Sequence, residues 1–191
     1  GNYAIAIGTE SSALSAGSIA FGLQSDASEL GSTAIGAFAA STGVNSSAFG
    51  RNSLASARNS TALGRLSKAT GNYSSAVGSQ AEAAGRNSTA IGAIAKSSAS
   101  WSTAIGTQAQ ATKYAATAVG QGATASASNA TALGRGSIAN ADSAIAIGVS
   151  AAASGNGSKA FGYEANASGF SSMALGDKSF ASATGSISIG S

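Results

Sequence analysis

The side chains that could carry out catalysis in this 191-residue chain are few. The sequence has no His and no Cys, which excludes Ser-His-Asp and Cys-His arrangements as well as His and thiolate metal sites. Of its seven carboxylates, only Glu164 and Asp177 fall close together in the repeat described below, and two solvated surface acids are the simpler interpretation of them. No Gly-Lys-Ser or Gly-Lys-Thr occurs, so the glycines form no phosphate loop. We therefore expect no catalytic residue, no metal site and no cofactor.

Binding chemistry is better represented, through basic and aromatic side chains. Residues 51–113 carry seven Lys or Arg against one Glu, whereas residues 1–50 carry three acids and no base. Such a basic belt fits a sulfated glycosaminoglycan or another polyanion, and the alternative is a solvated face that keeps molecules apart. Large aromatic residues at variable positions of neighbouring repeats would add contact surface, or would pack between subunits. The candidate ligand-binding residues are Arg51, Arg58, Arg65, Lys68, Arg86, Lys96, Trp101 and Tyr114.

A glycine that follows a large apolar residue recurs every 14 residues from Gly8 to Gly190, without an insertion. Self-similarity at a fixed short period is the signature of a solenoid, in which each unit must stack on its neighbours. We number each repeat, or coil, so that this glycine is position 14. Position 13 is always large and apolar, position 12 is Ala in every coil but the last, and position 10 is Ser or Ala. The pattern predicts one domain over residues 1–191, without a linker.

Alternation with period 2 at positions 9–13 and 2–6 predicts two short strands in each coil, with turns at positions 14–1 and 7–8. Position 14 is always Gly, position 7 is often Gly, and the chain has no Pro to interrupt a ladder. We therefore predict an all-β parallel solenoid of about 14 coils. With strands about 4.8 Å apart, it would be roughly 65 Å long.

The charged residues indicate which faces are buried. Sixteen of the 17 charged residues lie at positions 1, 2, 4, 7 or 8. Both faces of the strand predicted at positions 9–13 are therefore almost free of charge. A lone coil buries about one large side chain, worth roughly 2–3 kcal/mol, against an ordering cost of about 1.5 kcal/mol per residue. We predict that positions 11 and 13 point into the coil and that positions 10 and 12 meet other copies of the chain, with the reverse assignment left open. The predicted interface residues are Ala34, Ala62, Ala90, Ala104, Ala118, Ala132, Ser60, Ser88 and Ser102.

Lys159 is the one charged residue at position 11. One interpretation is an internal anion site or a register device. The other is a coil near the chain end whose lysine stem reaches outward to solvent.

The segments "NSSAFGRNS" (45–53), "NSTALGRLS" (59–67) and "NSTAIGAIA" (87–95) resemble the YadA-like head repeat of trimeric autotransporter adhesins. The resemblance extends over all the coils. It implies a left-handed parallel β-roll, three of which assemble side by side as a homotrimer, and both the handedness and the number three come from the resemblance. The family's motif prefers Val at position 11, where this chain mostly has Thr or Ser.

The resemblance also implies a function. Heads of this family are carried on a coiled-coil stalk from an anchor in the bacterial outer membrane, so we expect an adhesin head exposed on the bacterial cell surface. Expected partners are further copies of the chain and a host matrix protein such as collagen, fibronectin or laminin, or a polyanionic glycosaminoglycan, bound without catalysis. We expect no nucleic-acid partner, and contact with a membrane only through a stalk and anchor that this sequence lacks. No signal peptide or membrane span is evident, and we take the sequence as an excerpt from a longer chain.

Two other functions compete with adhesion. One is a purely structural spacer. The other is ice binding, because Thr recurs at position 11, although the absence of charge on that strand favours burial over an exposed array. A polysaccharide-cleaving β-helix is disfavoured because the chain lacks an acidic cluster. The recurring threonines are Thr33, Thr61, Thr89, Thr103, Thr117 and Thr131.

Overall fold

The computed structural model describes residues 2–190, which form short parallel strands joined by tight turns. Each coil contributes one strand of three residues and one of two residues, and within each unit described below a strand pairs with its counterparts 14 residues away. The predicted all-β parallel solenoid with 14-residue repeats is therefore confirmed, with about 13 turns. No helix in the described part of the chain is long and apolar enough to cross a membrane.

The chain divides into two compact units, Gly1–Ala95 and Lys96–Ser191. The strands of the first unit are β1 (Ile5–Ile7), β2 (Ser12–Ala13), β3 (Ile19–Phe21), β4 (Asp26–Ala27), β5 (Thr33–Ile35), β6 (Ala40–Ser41), β7 (Ser47–Phe49), β8 (Leu54–Ala55), β9 (Thr61–Leu63), β10 (Lys68–Ala69), β11 (Ser75–Val77), β12 (Glu82–Ala83) and β13 (Thr89–Ile91). Those of the second unit are β14 (Lys96–Ser97), β15 (Thr103–Ile105), β16 (Gln110–Ala111), β17 (Thr117–Val119), β18 (Thr124–Ala125), β19 (Thr131–Leu133), β20 (Ile138–Ala139), β21 (Ile145–Ile147), β22 (Ala152–Ala153), β23 (Lys159–Phe161), β24 (Asn166–Ala167), β25 (Met173–Leu175), β26 (Phe180–Ala181) and β27 (Ile187–Ile189). In each unit the odd-numbered strands form a sheet that we call sheet A, and the even-numbered strands form sheet B, both in chain order. A single domain over the whole chain stays a prediction.

The strands are shorter than the alternation predicts. Sheet A uses positions 11–13 and sheet B uses positions 4–5, while positions 2 and 9 lie in turns. The backbone at positions 2 and 9 is left-handed, as at Asn52 (φ 57°) and Asn59 (φ 53°), and this conformation ends each extended strand. We call positions 14, 1 and 2 turn I, and positions 7, 8 and 9 turn II.

The two turns of a coil are built alike. In turn II the backbone N–H and the hydroxyl of Ser60 both donate to the carbonyl oxygen of Ala57, at 3.3 and 2.6 Å. In turn I the N–H and the hydroxyl of Ser53 donate in the same way to Gly50, at 3.1 and 2.8 Å. Position 10 thus corresponds to position 3, and each coil consists of two related halves of seven residues.

The interior of each unit is narrow and is filled by small side chains. Ala at positions 5 and 12 is buried, as are Ala and Ser at positions 3 and 10 over nearly all of the described chain. Serines are the largest side chains that residues 2–190 bury completely. Where position 5 is Ser, its hydroxyl meets that of position 10, and the Oγ atoms of Ser41 and Ser46 are 2.6 Å apart. Sheets A and B therefore approach too closely for a larger side chain to lie between them.

This interior contradicts the predicted orientation of sheet A. Positions 10 and 12 face the inside of the coil, and positions 11 and 13 face outward, because the space between the sheets accepts only Ala and Ser. The residues predicted to meet other copies of the chain are each 0% exposed within the single chain and cannot contact a partner. They are Ala34, Ala62, Ala90, Ala104, Ala118, Ala132, Ser60, Ser88 and Ser102.

Within each unit, backbone hydrogen bonds join successive coils through the turns as well as the strands. The N–H of Leu66 in turn I donates to the Arg51 carbonyl at 3.0 Å, and the N–H of Tyr73 in turn II donates to the Arg58 carbonyl at 2.9 Å. Because the buried alanines supply little apolar area each, this ladder is a large part of what holds the coils in register.

The glycine column at position 14 provides a test of coil stacking. At Gly120 φ is +132°, and a Cβ would lie 2.5 Å from the carbonyl oxygen of Gly134 and 2.6 Å from its carbonyl carbon. We expect Gly120→Ala to lower the free energy of unfolding by at least about 2 kcal/mol, measured by urea denaturation. Gly122→Asn is the control, because φ is +65° there and no atom lies within 4 Å of a Cβ. Equal unfolding midpoints for the two variants would contradict this account of position 14.

The orientation of sheet A predicts a second pair of variants. Ala104→Asp would place a carboxylate inside the coil without a counter-charge, and we expect a loss of about 3 kcal/mol or more. Gln108→Asp introduces the same charge in an exposed turn and should change stability by less than about 0.5 kcal/mol. Thermal unfolding followed by circular dichroism compares them, and an unchanged melting temperature for Ala104→Asp would place position 12 outside the coil.

Candidate binding surfaces

The outward face of sheet A carries a row of large apolar side chains at position 13. Within each unit these residues pair in register, and the row is exposed or half-buried throughout, with Phe21 at 52% and Leu63 at 47%. A continuous exposed apolar row of this kind marks an interaction surface. In the first unit it consists of Ile7, Phe21, Ile35, Phe49, Leu63, Val77 and Ile91. In the second unit it consists of Ile105, Val119, Leu133, Ile147, Phe161, Leu175 and Ile189.

The threonine column lies on the same outward face. Thr61 and Thr89 at position 11 are half-buried and stand beside the apolar row of position 13. The expectation that this column is buried inside the coil is therefore wrong for the single chain. Its position next to apolar side chains makes it part of the same surface.

Lys159 also points outward, because Ala160 beside it is fully buried. Its strand neighbours at position 11 are Ile145 and Met173, and its Nζ donates to the carbonyl of Gly157 at 2.9 Å. The stem lies along the outward face of sheet A and reaches the turn II backbone. An anion site inside the coil is therefore excluded for this lysine.

The basic belt predicted from the linear sequence is divided by the fold. Arg51 and Arg65 lie at position 1 in turn I, on successive coils, whereas Arg58 and Arg86 lie at position 8 in turn II, two coils apart. All four side chains are exposed. The structure therefore places two separate pairs of arginines on the opposite turns of the first unit.

Two lysines of the belt lie at position 4, on the outward side of sheet B. Lys68 is exposed and pairs in register with Glu82 on the next strand, and Lys96 begins sheet B of the second unit. An open groove of about 260 Å³ lies between positions 2 and 4 and is lined by Leu66, Lys68, Gln80 and Glu82. Since an acid stands beside Lys68, this groove is less suited to a polyanion than either turn.

A second open groove, of about 390 Å³, lies over turn I of the second unit. It exists because position 2 is Gly in two successive coils, and Arg135 contributes its one charge. A guanidinium group among neutral side chains can bind a ligand but offers no nucleophile or general base for covalent chemistry. The lining residues are Gln108, Gln121, Gly122, Arg135, Gly136 and Ser150.

Trp101 and Tyr114 lie in turn II of neighbouring coils, at positions 9 and 8, and each is 56% exposed. Their coils are joined there by a 3.0 Å hydrogen bond from the Ala115 N–H to the Ser100 carbonyl. The two aromatic side chains are therefore brought to the same side of the second unit, as their sequence spacing predicts. Their part in ligand binding stays a prediction.

Tyr73 is a surface residue that is not among the candidate ligand-binding residues predicted from the sequence. It is 48% exposed at position 9, with φ 59°, and Asn59 and Asn87 occupy that position in the adjacent coils. Asn tolerates the left-handed conformation well and a large aromatic side chain does not. The Asn and Gly residues that recur at position 9 were the signal in the sequence, because both favour a left-handed turn.

The carboxylates of Glu164 and Asp177 both interact with Tyr163. Its phenol hydrogen-bonds to the Glu164 carboxylate, which raises the pKa of Tyr163 through that bond and through its charge, and its backbone N–H donates to Asp177 Oδ1 at 3.3 Å. Burial raises the pKa of Asp26, which pairs in sheet B with Ser12 and Ala40, neither of them an acid. No group of three or more potential metal ligands occurs in residues 2–190.

The chain is similar to proteins of known family and known structure. The family model of the YadA head domain repeat (2 copies) matches residues 1–25, 13–39, 27–53, 41–67, 55–81, 69–95, 97–118, 111–137, 139–165 and 167–191. A solved structure, the collagen-binding domain of the Yersinia adhesin YadA, is 22% identical to this chain, with 100% of this chain and 82% of that chain covered and a TM-score of 0.46. The search of curated proteins gave no match. Because the family model matches segments that together span nearly the whole sequence, the chain belongs to the YadA head family of adhesins.

Proposed function

We propose that this chain is the head of a bacterial surface adhesin, acts as a homotrimer and attaches to host matrix by non-catalytic binding. The observation that carries the proposal is the outward face of sheet A. It is apolar at position 13 and, apart from Lys159, uncharged at positions 11 and 13 over residues 2–190. Membership of a non-enzymatic adhesin family supports the adhesive role and a place on the cell surface.

We infer that further copies of the same chain bury the outward face of sheet A. The interior of the coil is already filled by its own Ala and Ser, so the large apolar side chains can only be buried by a partner. Fully burying one such side chain is worth roughly 1.5–3 kcal/mol, and each unit presents one in every coil. An identical periodic face on each copy allows a closed symmetric assembly, and the family resemblance supports three copies.

The ligand would bind on the surfaces that such an assembly leaves open. These are the two turns and the outward side of sheet B, where the candidate residues lie: Arg51, Arg58, Arg65, Lys68, Arg86, Lys96, Trp101 and Tyr114. Collagen, fibronectin, laminin and glycosaminoglycans are the ligands to test. Catalysis has no support, since the carboxylates with a described hydrogen bond serve the backbone or a neighbouring side chain.

Ice binding requires the threonine column to be free in solution. The structure places that column on the outward face of sheet A, the face that the proposed trimer would cover. Measurable thermal hysteresis by the purified protein would favour ice binding over adhesion, and a spacer would show neither hysteresis nor ligand binding.

The assembly itself can be tested by light scattering. We expect a mass three times the 18.0 kDa of one chain at micromolar concentration. Ile105→Asp adds a charge to the outward face at position 13, where the side chain is 37% exposed, and should shift the mass toward one chain without loss of β-sheet circular dichroism. Gln108→Asp, with the same added charge in turn I, should remain trimeric. A folded wild-type monomer would refute the trimer.

Adhesion can be tested on surfaces coated with collagen, fibronectin, laminin or heparan sulfate. We expect the wild-type protein to be retained on at least one coating, and Ile105→Asp to bind it at least about ten-fold more weakly because the linked binding sites are lost. No retention on any coating by a protein shown to be trimeric would favour the spacer.

A further inference from the structure

We propose that turn II of the first unit binds a sulfated glycan, through Arg58, Asn72, Tyr73 and Arg86, which we call the turn II site. This inference rests on the proposed adhesive function and names the ligand class of one part of the head. The glycan would run along the stacked turns, with sulfates at the two guanidinium groups and a sugar ring on the phenol ring between them.

The backbone holds the two arginines at a fixed separation. Arg58 and Arg86 both occupy position 8, two coils apart, which places their Cα atoms about 10 Å from each other. The intervening turn is bonded on both sides: the Tyr73 N–H donates to the Arg58 carbonyl and the Asn87 N–H to the Asn72 carbonyl, each at 2.9 Å. A separation of this order matches one disaccharide of an extended glycosaminoglycan. A guanidinium group can donate two parallel hydrogen bonds to each sulfate.

Asn72 occupies the same column between the two arginines. Its Oδ1 accepts a hydrogen bond from the Arg58 N–H at 3.2 Å, and its side chain is exposed. Because Oδ1 of Asn72 already accepts a hydrogen bond from the turn backbone, the side-chain NH₂ is the group that can donate to a ligand. It adds a neutral donor where a sugar hydroxyl would lie between two sulfates.

Tyr73 is the observation that favours a binding site over a merely basic surface. It adopts φ 59°, a conformation costly for a large side chain that Leu66 and Trp101 share, yet it remains 48% exposed. Unlike those two residues, Tyr73 is an aromatic residue in a coil that lies between the coils of two arginines in the same turn. The adjacent coils have Asn59 and Asn87 at this position, so the fold does not need an aromatic residue there. The exposed ring offers a flat apolar surface, with little side-chain entropy to lose, for the face of a sugar.

The two arginine pairs of the first unit differ in spacing and in the residue beside them. The acid nearest in sequence, Glu82, lies at position 4 on sheet B, and Glu29, at position 7, is two coils before Arg58. Arg51 and Arg65 of turn I lie on successive coils, about 5 Å apart, and the aliphatic Leu66 follows Arg65. That pair has the same charge without the wider spacing or an aromatic ring, and it provides a matched control.

The test measures binding of a heparin-derived octasaccharide by titration calorimetry at two salt concentrations. We expect the Arg58→Ala, Arg86→Ala double variant to bind at least about ten-fold more weakly and with a smaller salt dependence. The Arg51→Ala, Arg65→Ala double variant removes the same charge from the same unit and should lose less than about three-fold. Equal losses in the two variants, or none in either, would overturn the turn II site.

Tyr73→Asn separates binding from folding. Asn suits the left-handed backbone, so the melting temperature should stay the same or rise, while octasaccharide affinity falls about three-fold or more. Unchanged affinity with a stable fold would remove the aromatic ring from the site. Binding of a desulfated octasaccharide or of single-stranded DNA as tightly as the sulfated form would overturn the assignment of a sulfated glycan.

The outcome can be separated from that of the proposed function. A wild-type trimer that adheres to a matrix protein but does not bind the octasaccharide would overturn the turn II site alone. Octasaccharide binding by a wild-type protein shown to be monomeric would support the site and refute the trimer.

Discussion

The narrow space between the two sheets of each coil is the constraint on which the rest of the structure depends. Strands of two and three residues, joined by turns that reverse the chain within three residues, bring sheets A and B so close that only Ala and Ser fit between them. A core of such small side chains gives little hydrophobic stabilisation per coil, so the hydrogen-bonded ladder through strands and turns carries a correspondingly larger share. The same constraint forces the large apolar residues to the outside. Each unit therefore exposes a continuous apolar row, which is the mark of an interaction surface.

The period, the parallel pairing and the strand character could be predicted, because a 14-residue repeat without insertions leaves few other ways to stack. The direction of the side chains could not be predicted from alternation alone, since a period of 2 defines two faces without stating which is inside. The expectation that Ile35 or Leu63 would fill the coil followed the usual preference for large apolar residues in a core, and it failed because the coil has no room for them. The sequence did contain the relevant signal. Positions 3, 5, 10 and 12 are almost all Ala or Ser, and two small-residue faces that pack against each other account for all four columns at once.

For the candidate ligand residues, the linear sequence likewise indicates which segment is basic, whereas the fold determines which surface each residue lies on. Charge along the sequence located a basic segment, but positions 1 and 8 lie in different turns, so Arg51 and Arg58 face different surroundings although only seven residues separate them. The left-handed residues at positions 2 and 9 were missed because their side chains are mixed, with Gln, Leu and Ile as well as Asn and Gly. Such a conformation becomes evident only when the columns are compared, and large side chains such as Tyr73, Ile94 and Trp101 are then ones that local backbone preference does not explain.

These features separate the residues that maintain the fold from those available for recognition. The inward columns and the glycine at position 14 are restricted by contact with the next coil, and the outward face of sheet A is restricted if copies of the chain cover it. Positions 1, 2, 8 and 9 contribute backbone hydrogen bonds to the stack, while their side chains point away from the interior. A side chain can therefore change at these positions without disturbing the bonds that hold the coils together. Because coils within a unit are about 4.8 Å apart, residues of the same column in that unit are also spaced at multiples of that distance. The turns thus provide a rigid, regularly spaced display, and a repeating polymer such as a glycan is the class of ligand whose own period such a display can match.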